Sequence, residues 1–208
     1  MNKTKEQLVI IGAGGHAKVC YDIAKLMNQW NKIILLDDNP ENDYFEIAGS
    51  IDDSSKYING SEFFVALGSN NTREKITNEL TELEATIITL IHPNSIIASD
   101  VIIDEGTVVM AGVVINSATQ IGKGCIINTS SSIDHDNTIK NYVHISPGVT
   151  LSGTVKVGFK TWIGSGVVVS NNIEIESDII VGAGSVIVNN IKKRGTYYGV
   201  PARKQNDE

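Results

Sequence analysis

The chain has 208 residues, 41% of them hydrophobic, and a formal charge of −7 at pH 7. That length allows one large domain or two small ones, and the acidic balance speaks against nucleic acid and anionic membranes as partners, since both need a basic face. Two cysteines, Cys20 and Cys125, are too few and too far apart for a disulfide framework or a metal knuckle, and read as small buried apolar side chains.

The opening segment, MNKTKEQLVIIGAGG, has an apolar run too brief for a signal peptide, and no run in the chain approaches a membrane span. The expectation is a soluble, cytoplasmic protein. Leu8 to Ile11 reads as a buried strand. A glycine turn follows, then a helix on which Val19, Ile23, Leu26 and Met27 keep helical spacing. IILLDDNP, from Ile33 to Pro40, is a second strand that ends in two aspartates and a proline stop. EFFVALGSNNTREKI is a third strand, a glycine turn and the start of a helix, and TIITLIHP closes the unit near Pro93. This alternation predicts a Rossmann-like βαβαβ domain over residues 1–93. Gly12, Gly14 and Ala17, with Asp37 at the next strand end, match a dinucleotide fingerprint. On its own that motif points to an NAD-dependent oxidoreductase. So short a domain has no room for a second mononucleotide half, however, and no hydride-transfer domain follows it. The physics that remains is a glycine turn that admits a phosphate to a helix N-terminus, which suits a mononucleotide-type ligand.

From Ile97 the chain changes character. Stepping by six meets Ile97, Ile103, Val109, Ile115, Ile121, Ile127, Ile133, Ile139, Ile145, Leu151, Val157, Ile163, Val169, Ile175, Val181 and Ile187, every one aliphatic. A period of six fits neither a helix nor simple alternation. It predicts a parallel β-helix of hexapeptides over residues 94–208, three hexads to a coil and five coils long, with each large aliphatic anchor inside a prism. Smaller residues four places after each anchor, such as Val101, Thr107, Val113 and Cys125, belong near the corners. Gly122, Gly158, Gly164 and Gly182 follow anchors and read as turn glycines. The period never slips, so no long loop leaves the prism, and a substrate pocket must borrow a wall from the N-terminal domain or from a neighbouring subunit. Outward apolar residues Val114, Val168 and Ile180 fit self-association.

Of four histidines, two lie in one stretch, SSSIDHDNTIKNYVHISPG. Counted from the anchors, His135 falls near mid-face and His144 half a coil further on, both pointing outward. They read as solvent-exposed side chains, as zinc ligands of a β-helix trimer, or as a general base with a carboxylate holding its tautomer. The close histidine pair that such a zinc site needs is missing, since His135 and His144 are nine residues apart and His92 precedes the prism. Asp134 and Asp136 flank His135, and spacing does not choose between them.

GAGGHAKVCYDIAK, LLDD, FFVALGSNNTREKI, LIHPNSIIA, INTSSSIDHD, HISPG, SGTVKVG and GVPAR, in that order, cover nearly the whole chain. Together they resemble the left-handed β-helix sugar acyltransferases of bacteria, and within them the N-acetyltransferases of nucleotide-linked amino sugars. The resemblance implies a left-handed coil and an acetyl-CoA-dependent N-acetyltransferase, without metal, acting on the 4-amino group of a nucleotide-linked, UDP-type 4-amino-4,6-dideoxy sugar. It implies His135 as base with Asp136 as its carboxylate. Gly14, Gly15, His16, Asp37, Asp38 and Gly68 would line the nucleotide-sugar site, and Asn128 would touch the reacting sugar. His144 would bind acetyl-CoA near its thioester, with Ser165 and Ala183 giving backbone contacts to CoA. It also implies a homotrimer with active sites between subunits. O-acetylation of a sialic-acid-type sugar and a silent, nucleotide-sugar-binding β-helix are the rival readings. Lys192, Lys193, Arg194, Arg203 and Lys204 read either as a solvated tail or as a landing place for CoA phosphates.

Overall fold

A computed structural model describes residues 5–205. The chain divides at Pro93 and Asn94 into two compact units. In the first, β1 (Lys5–Ile11), α1 (Gly15–Met27), β2 (Trp30–Leu36), β3 (Ser61–Val65), α2 (Asn70–Glu82) and β4 (Thr86–Ile87) follow one another, with a short 3-10 helix at Ile51–Tyr57. The four strands are parallel in the order β2-β1-β3-β4. Leu8 to Ile11 on the central strand are wholly buried, as sequential apolar runs in parallel strands require. Because these strands are parallel, the loops after β1, β2 and β3 all emerge at one edge, where open α/β sheets hold ligands.

The second unit is a parallel β-helix of short strands, two residues long except for Ile179–Val181, recurring every six residues from Ile96–Ile97 to Val186–Ile187. Each strand pairs with the strand one coil away, as in Ile127 with Ile145 and Ile133 with Leu151. Hydrogen bonds between coils repeat at an interval of 18 residues. Three sheets result. One carries Ile96, Val114, Ser132, Thr150, Val168 and Val186 on its outer surface; a second carries Ile102, Gln120, Thr138, Lys156 and Glu174; the third carries Val108, Ile126, His144, Trp162 and Ile180. From Ile115 onward the anchors are at most 1% exposed.

The corners differ from the sequence expectation. From Gly106 to Gly184 the third residue after every anchor is left-handed, with φ between 55° and 71°. Gly122, Gly158, Gly164 and Gly182, expected to ease turns, have no such φ. They are small because the next coil passes close by: a Cβ at Gly158 would meet Ser177 N at 2.4 Å, and one at Gly164 would meet Val181 O at 2.6 Å. The basic C-terminal segment is an ordered strand pair as far as Gln205. Gly195–Gly199 extends the third sheet beside Ile179–Val181 and pairs antiparallel with Ala202–Lys204.

Candidate active site

In the first unit the candidate residues gather at the strand ends. Gly14 caps α1 with extended backbone and no side-chain cap, and the first turn of the helix carries no acidic residue. The N–H groups of that turn are therefore directed at open space, a setting that attracts an anion. A Cβ at Gly14, Gly15 or Gly68 would meet nothing within 4 Å. Gly12 is different: its φ is +103°, and a Cβ there would lie 2.8 Å from Leu67 Cδ2, so it lets the loops after β1 and β3 touch. Buried Arg73 holds the second loop by donating to the carbonyls of Leu67 and Gly68 and to Asn70 Oδ1.

Asp37 accepts from the N–H groups of Ala13 at 2.7 Å and Asn39 at 2.8 Å, and Asp38 accepts from Ile51 N–H at 3.0 Å. Both carboxylates thus brace the loops that surround the helix N-terminus. The His16 ring lies 3.6 Å from Cys20 Sγ. Burial, and then the charge of Arg73, lower its pKa to about 4, so the imidazole is neutral near pH 7. Burial pushes the Cys20 thiol up, and both cysteines are buried and outside any disulfide, as expected.

In the β-helix, His135 is not at mid-face. Strands are only two residues long, so two places after Ile133 is already the turn, at the corner between the Ser132 and Thr138 strands. Asp136, next in the chain, takes the left-handed φ of 58°. That bend brings adjacent side chains together, and His135 Nδ1–H donates to Asp136 Oδ2 at 2.7 Å. Asp134 is turned elsewhere: its Oδ1 accepts from the backbone N–H of His135 and from Asn116 Nδ2. The hydrogen bond to Asp136 raises the His135 pKa, the charges of Asp134 and Asp136 add to it, and desolvation opposes it. Asn116, and then the His135 N–H, hold Asp134 below the usual carboxylate range. With Nδ1 committed, Nε2 is the atom left to take a proton. The half-exposed ring rests over Gly153, one coil on, where a Cβ would come within 2.7 Å of Nε2.

His144 lies on the third sheet, on the side of the prism opposite that corner. Its ring stacks parallel to Trp162 at 5.7 Å, and its Nε2 is 3.3 Å from Asn128 Nδ2. The Trp162 indole N–H donates to Ser146 Oγ at 2.9 Å, which fixes the stack. Asn128 and His144 are thus neighbours, and one chain does not bring either to His135. Ser165 and Ala183 are exposed on successive coils at the edge beside the His144 face. The Ser165 carbonyl accepts from Gly184 N–H at 2.8 Å.

Comparison with known proteins places this geometry. Residues 7–80 match the PglD N-terminal domain. The acetyltransferase domain of PglB from Neisseria gonorrhoeae FA1090, solved with acetyl coenzyme A, superposes with a TM-score of 0.93 at 33% identity, over 97% of this chain and 100% of that one. The chain belongs to the left-handed β-helix sugar acyltransferases. PerB from Caulobacter crescentus, another structure at 33% identity, was solved with CoA and GDP-perosamine; its TM-score is 0.92, over 96% of this chain and 97% of that one. The UDP-N-acetylbacillosamine N-acetyltransferase of Bacillus subtilis (strain 168) is 36% identical over 108 residues, a match that spans 49% of this chain and only 50% of that protein. As a member of this family the chain has a left-handed coil, which periodicity alone does not give.

Sequence reasoning passed over Gly153, Trp162 and Arg73. Gly153 was findable by adding one coil to His135. Trp162 is likewise one coil from His144. Arg73 gave no signal, since a lone arginine on a helix normally faces solvent.

Proposed function

We propose that the protein transfers the acetyl group of acetyl-CoA to the 4-amino group of a UDP-linked 4-amino-4,6-dideoxy sugar. His135 Nε2 takes a proton from the amine as its nitrogen attacks the thioester carbonyl. The C–N bond forms, the C–S bond breaks, and the proton passes to the leaving thiolate of CoA. Asp136 holds the tautomer and favours the imidazolium as it forms. The glycine turn at Gly14 and Gly15, with His16, Asp37, Asp38 and Gly68, binds the nucleotide end of the sugar, and Asn128 contacts the sugar itself. His144, Ser165 and Ala183 serve the CoA, and the basic side chains around Arg194 and Arg203 meet its phosphates.

One observation carries this reading. A His–Asp pair stands on a corner of the prism, and an Asn–His–Trp group stands on the opposite face. Two such halves meet only when the corner of one copy approaches the face of another, so the reading includes a cytoplasmic homotrimer with active sites between subunits. Trp162 and Ile180, 47% and 46% exposed beside His144, are apolar surface that a neighbouring copy would cover. Two relatives, a UDP-N-acetylbacillosamine N-acetyltransferase and PerB with CoA and GDP-perosamine bound, support the same chemistry.

The test is CoA release with UDP-, dTDP- and GDP-linked amino sugars, in the wild type and in His135→Ala. The UDP sugar should be preferred, and His135→Ala should lower kcat by about 10²–10⁴ with the fold intact. A folded His135→Ala protein with near-normal kcat would remove His135 from the chemistry, and an active monomer in sedimentation would remove the trimer.

A further inference from the structure

The corner that carries His135 is closed from inside by a side-chain amide. In the corners ending at Val101, Val113, Ser131, Val149, Thr161 and Val167, the backbone N–H of the fourth residue after the anchor donates to the carbonyl three residues earlier. At the His135 corner that fourth residue is Asn137, and its N–H is drawn to Thr119 Oγ1 instead, at 3.4 Å. The side-chain amide does the closing: Nδ2 donates to the Asp134 carbonyl and, at 3.4 Å, to the His135 carbonyl. Its Oδ1 accepts from Val155 N–H at 2.9 Å in the next coil. Asn137 is 0% exposed, an amide within a column otherwise made of Val, Thr, Ser, Cys and Ile. A buried amide must find partners for both ends, and its partners here are the peptide units on either side of the His135 Cα.

Threonine wedges alone are not special to this corner, since Thr107 and Thr161 do the same for the corners of Cys125 and Ile179. The added amide is what differs, and it sits under the histidine. We propose that Asn137 is a positioning residue for acetyl transfer, holding the His135 backbone from inside the prism so that the imidazole stays aligned on Asp136. This rests on the reading of His135 as the base.

The test replaces Asn137 by Val, the commonest residue of its column, which lets Val155 N–H close its own corner on Ser152 as other valines do. The His135 ring is titrated by NMR in histidine-labelled protein, with His135→Ala to assign it, and the kinetics are measured alongside. The charged groups acting on the ring are Asp136 and Asp134. Loosening the Asp136 bond lowers the ring midpoint toward that of an ordinary histidine, and the acid limb of kcat moves the same way. The expected result is that shift, together with a fall in kcat of about tenfold and KM values for both substrates within about twofold. Thr161→Val, a polar interior residue under a corner with no histidine, should leave the ring midpoint unchanged. Should Asn137→Val not fold, Asn137→Thr places in this corner the residue that serves others, and the same readouts apply. A wild-type ring midpoint and a wild-type kcat in the folded variant would overturn the proposal. If the wild type transfers no acetyl group, the function reading fails, and the ring midpoint alone decides the role of Asn137.

Discussion

Replacing Gly153 by alanine separates the chemistry of His135 from the stability of its corner. A Cβ at Gly153 would lie 2.6 Å from His135 Cε1 and 2.7 Å from Nε2, but 3.3 Å from Nδ1. Ordinary contacts to carbon begin near ~3.5 Å, so the far edge of the ring must retreat by about 1 Å. The backbone at Gly153 is not left-handed, so alanine meets no conformational penalty there. The ring is half exposed and can swing outward, which means the fold gives way at the ring and not at the coil. Swinging breaks the alignment of Nδ1 on Asp136 and moves Nε2 off its line. A displacement of that size at the reacting atom costs about 10² in rate. The expected outcome is kcat lowered about a hundredfold in a CoA-release assay, the ring midpoint lowered, and a melting temperature within about 3 °C of wild type. Wild-type kcat in Gly153→Ala would refute the placement of the ring over that glycine. A collapse in melting temperature would show instead that the coil, not the ring, yields.

Asp136→Asn keeps the shape and loses the charge that favours imidazolium. It should lower kcat by about tenfold to a hundredfold and move the acid limb of the rate profile to lower pH, read from kcat at several pH values. Gly14→Leu meets open space and an ordinary φ of −77°, so the protein should fold; the KM for the nucleotide sugar should rise at least about tenfold while that for acetyl-CoA stays put, and equal effects on both would count against the assignment. His16 has its pKa lowered from 6.5 to about 4 in the fold, so the unfolded chain takes up its proton first as pH falls. Stability should be unaffected above pH 6.5 and should drop by about 2 kcal/mol by pH 5, a loss that His16→Gln abolishes in denaturant titrations at the two pH values.

The aliphatic anchors announce the prism because each must be large and apolar, and their unbroken six-residue spacing shows that. What the corners do is less visible. Gly106, Gly112, Gly124, Gly148, Gly166 and Gly184 occupy the left-handed column, yet Ala118, Tyr142, Thr154 and Lys160 occupy it too, so residue type only biases it. Gly122 and Gly158 stand two places nearer the preceding strand and answer to a different constraint, the approach of the next coil. Misjudging strand length by a residue moved His135 from corner to mid-face. The choice between Asp134 and Asp136 depended on one dihedral angle, which no spacing encodes. The glycine turn after β1 was readable, because phosphate-admitting loops need small residues at fixed offsets, but the burial of His16 and the charge of Arg73, far along the chain, have no such pattern.

The 18-residue register fixes how this domain can change in length. One residue inserted after Ser170 would turn Ile175, Val181 and Ile187, all buried, out of the interior, and the far end of the domain would unravel. A whole inserted coil would restore every anchor and carry the C-terminal strand pair one step further from His135. Within the register, length therefore changes in multiples of a coil, and any other insertion has to leave the prism as a loop at a corner. Reach along its axis and chemistry at its corner are separately adjustable properties of the same chain.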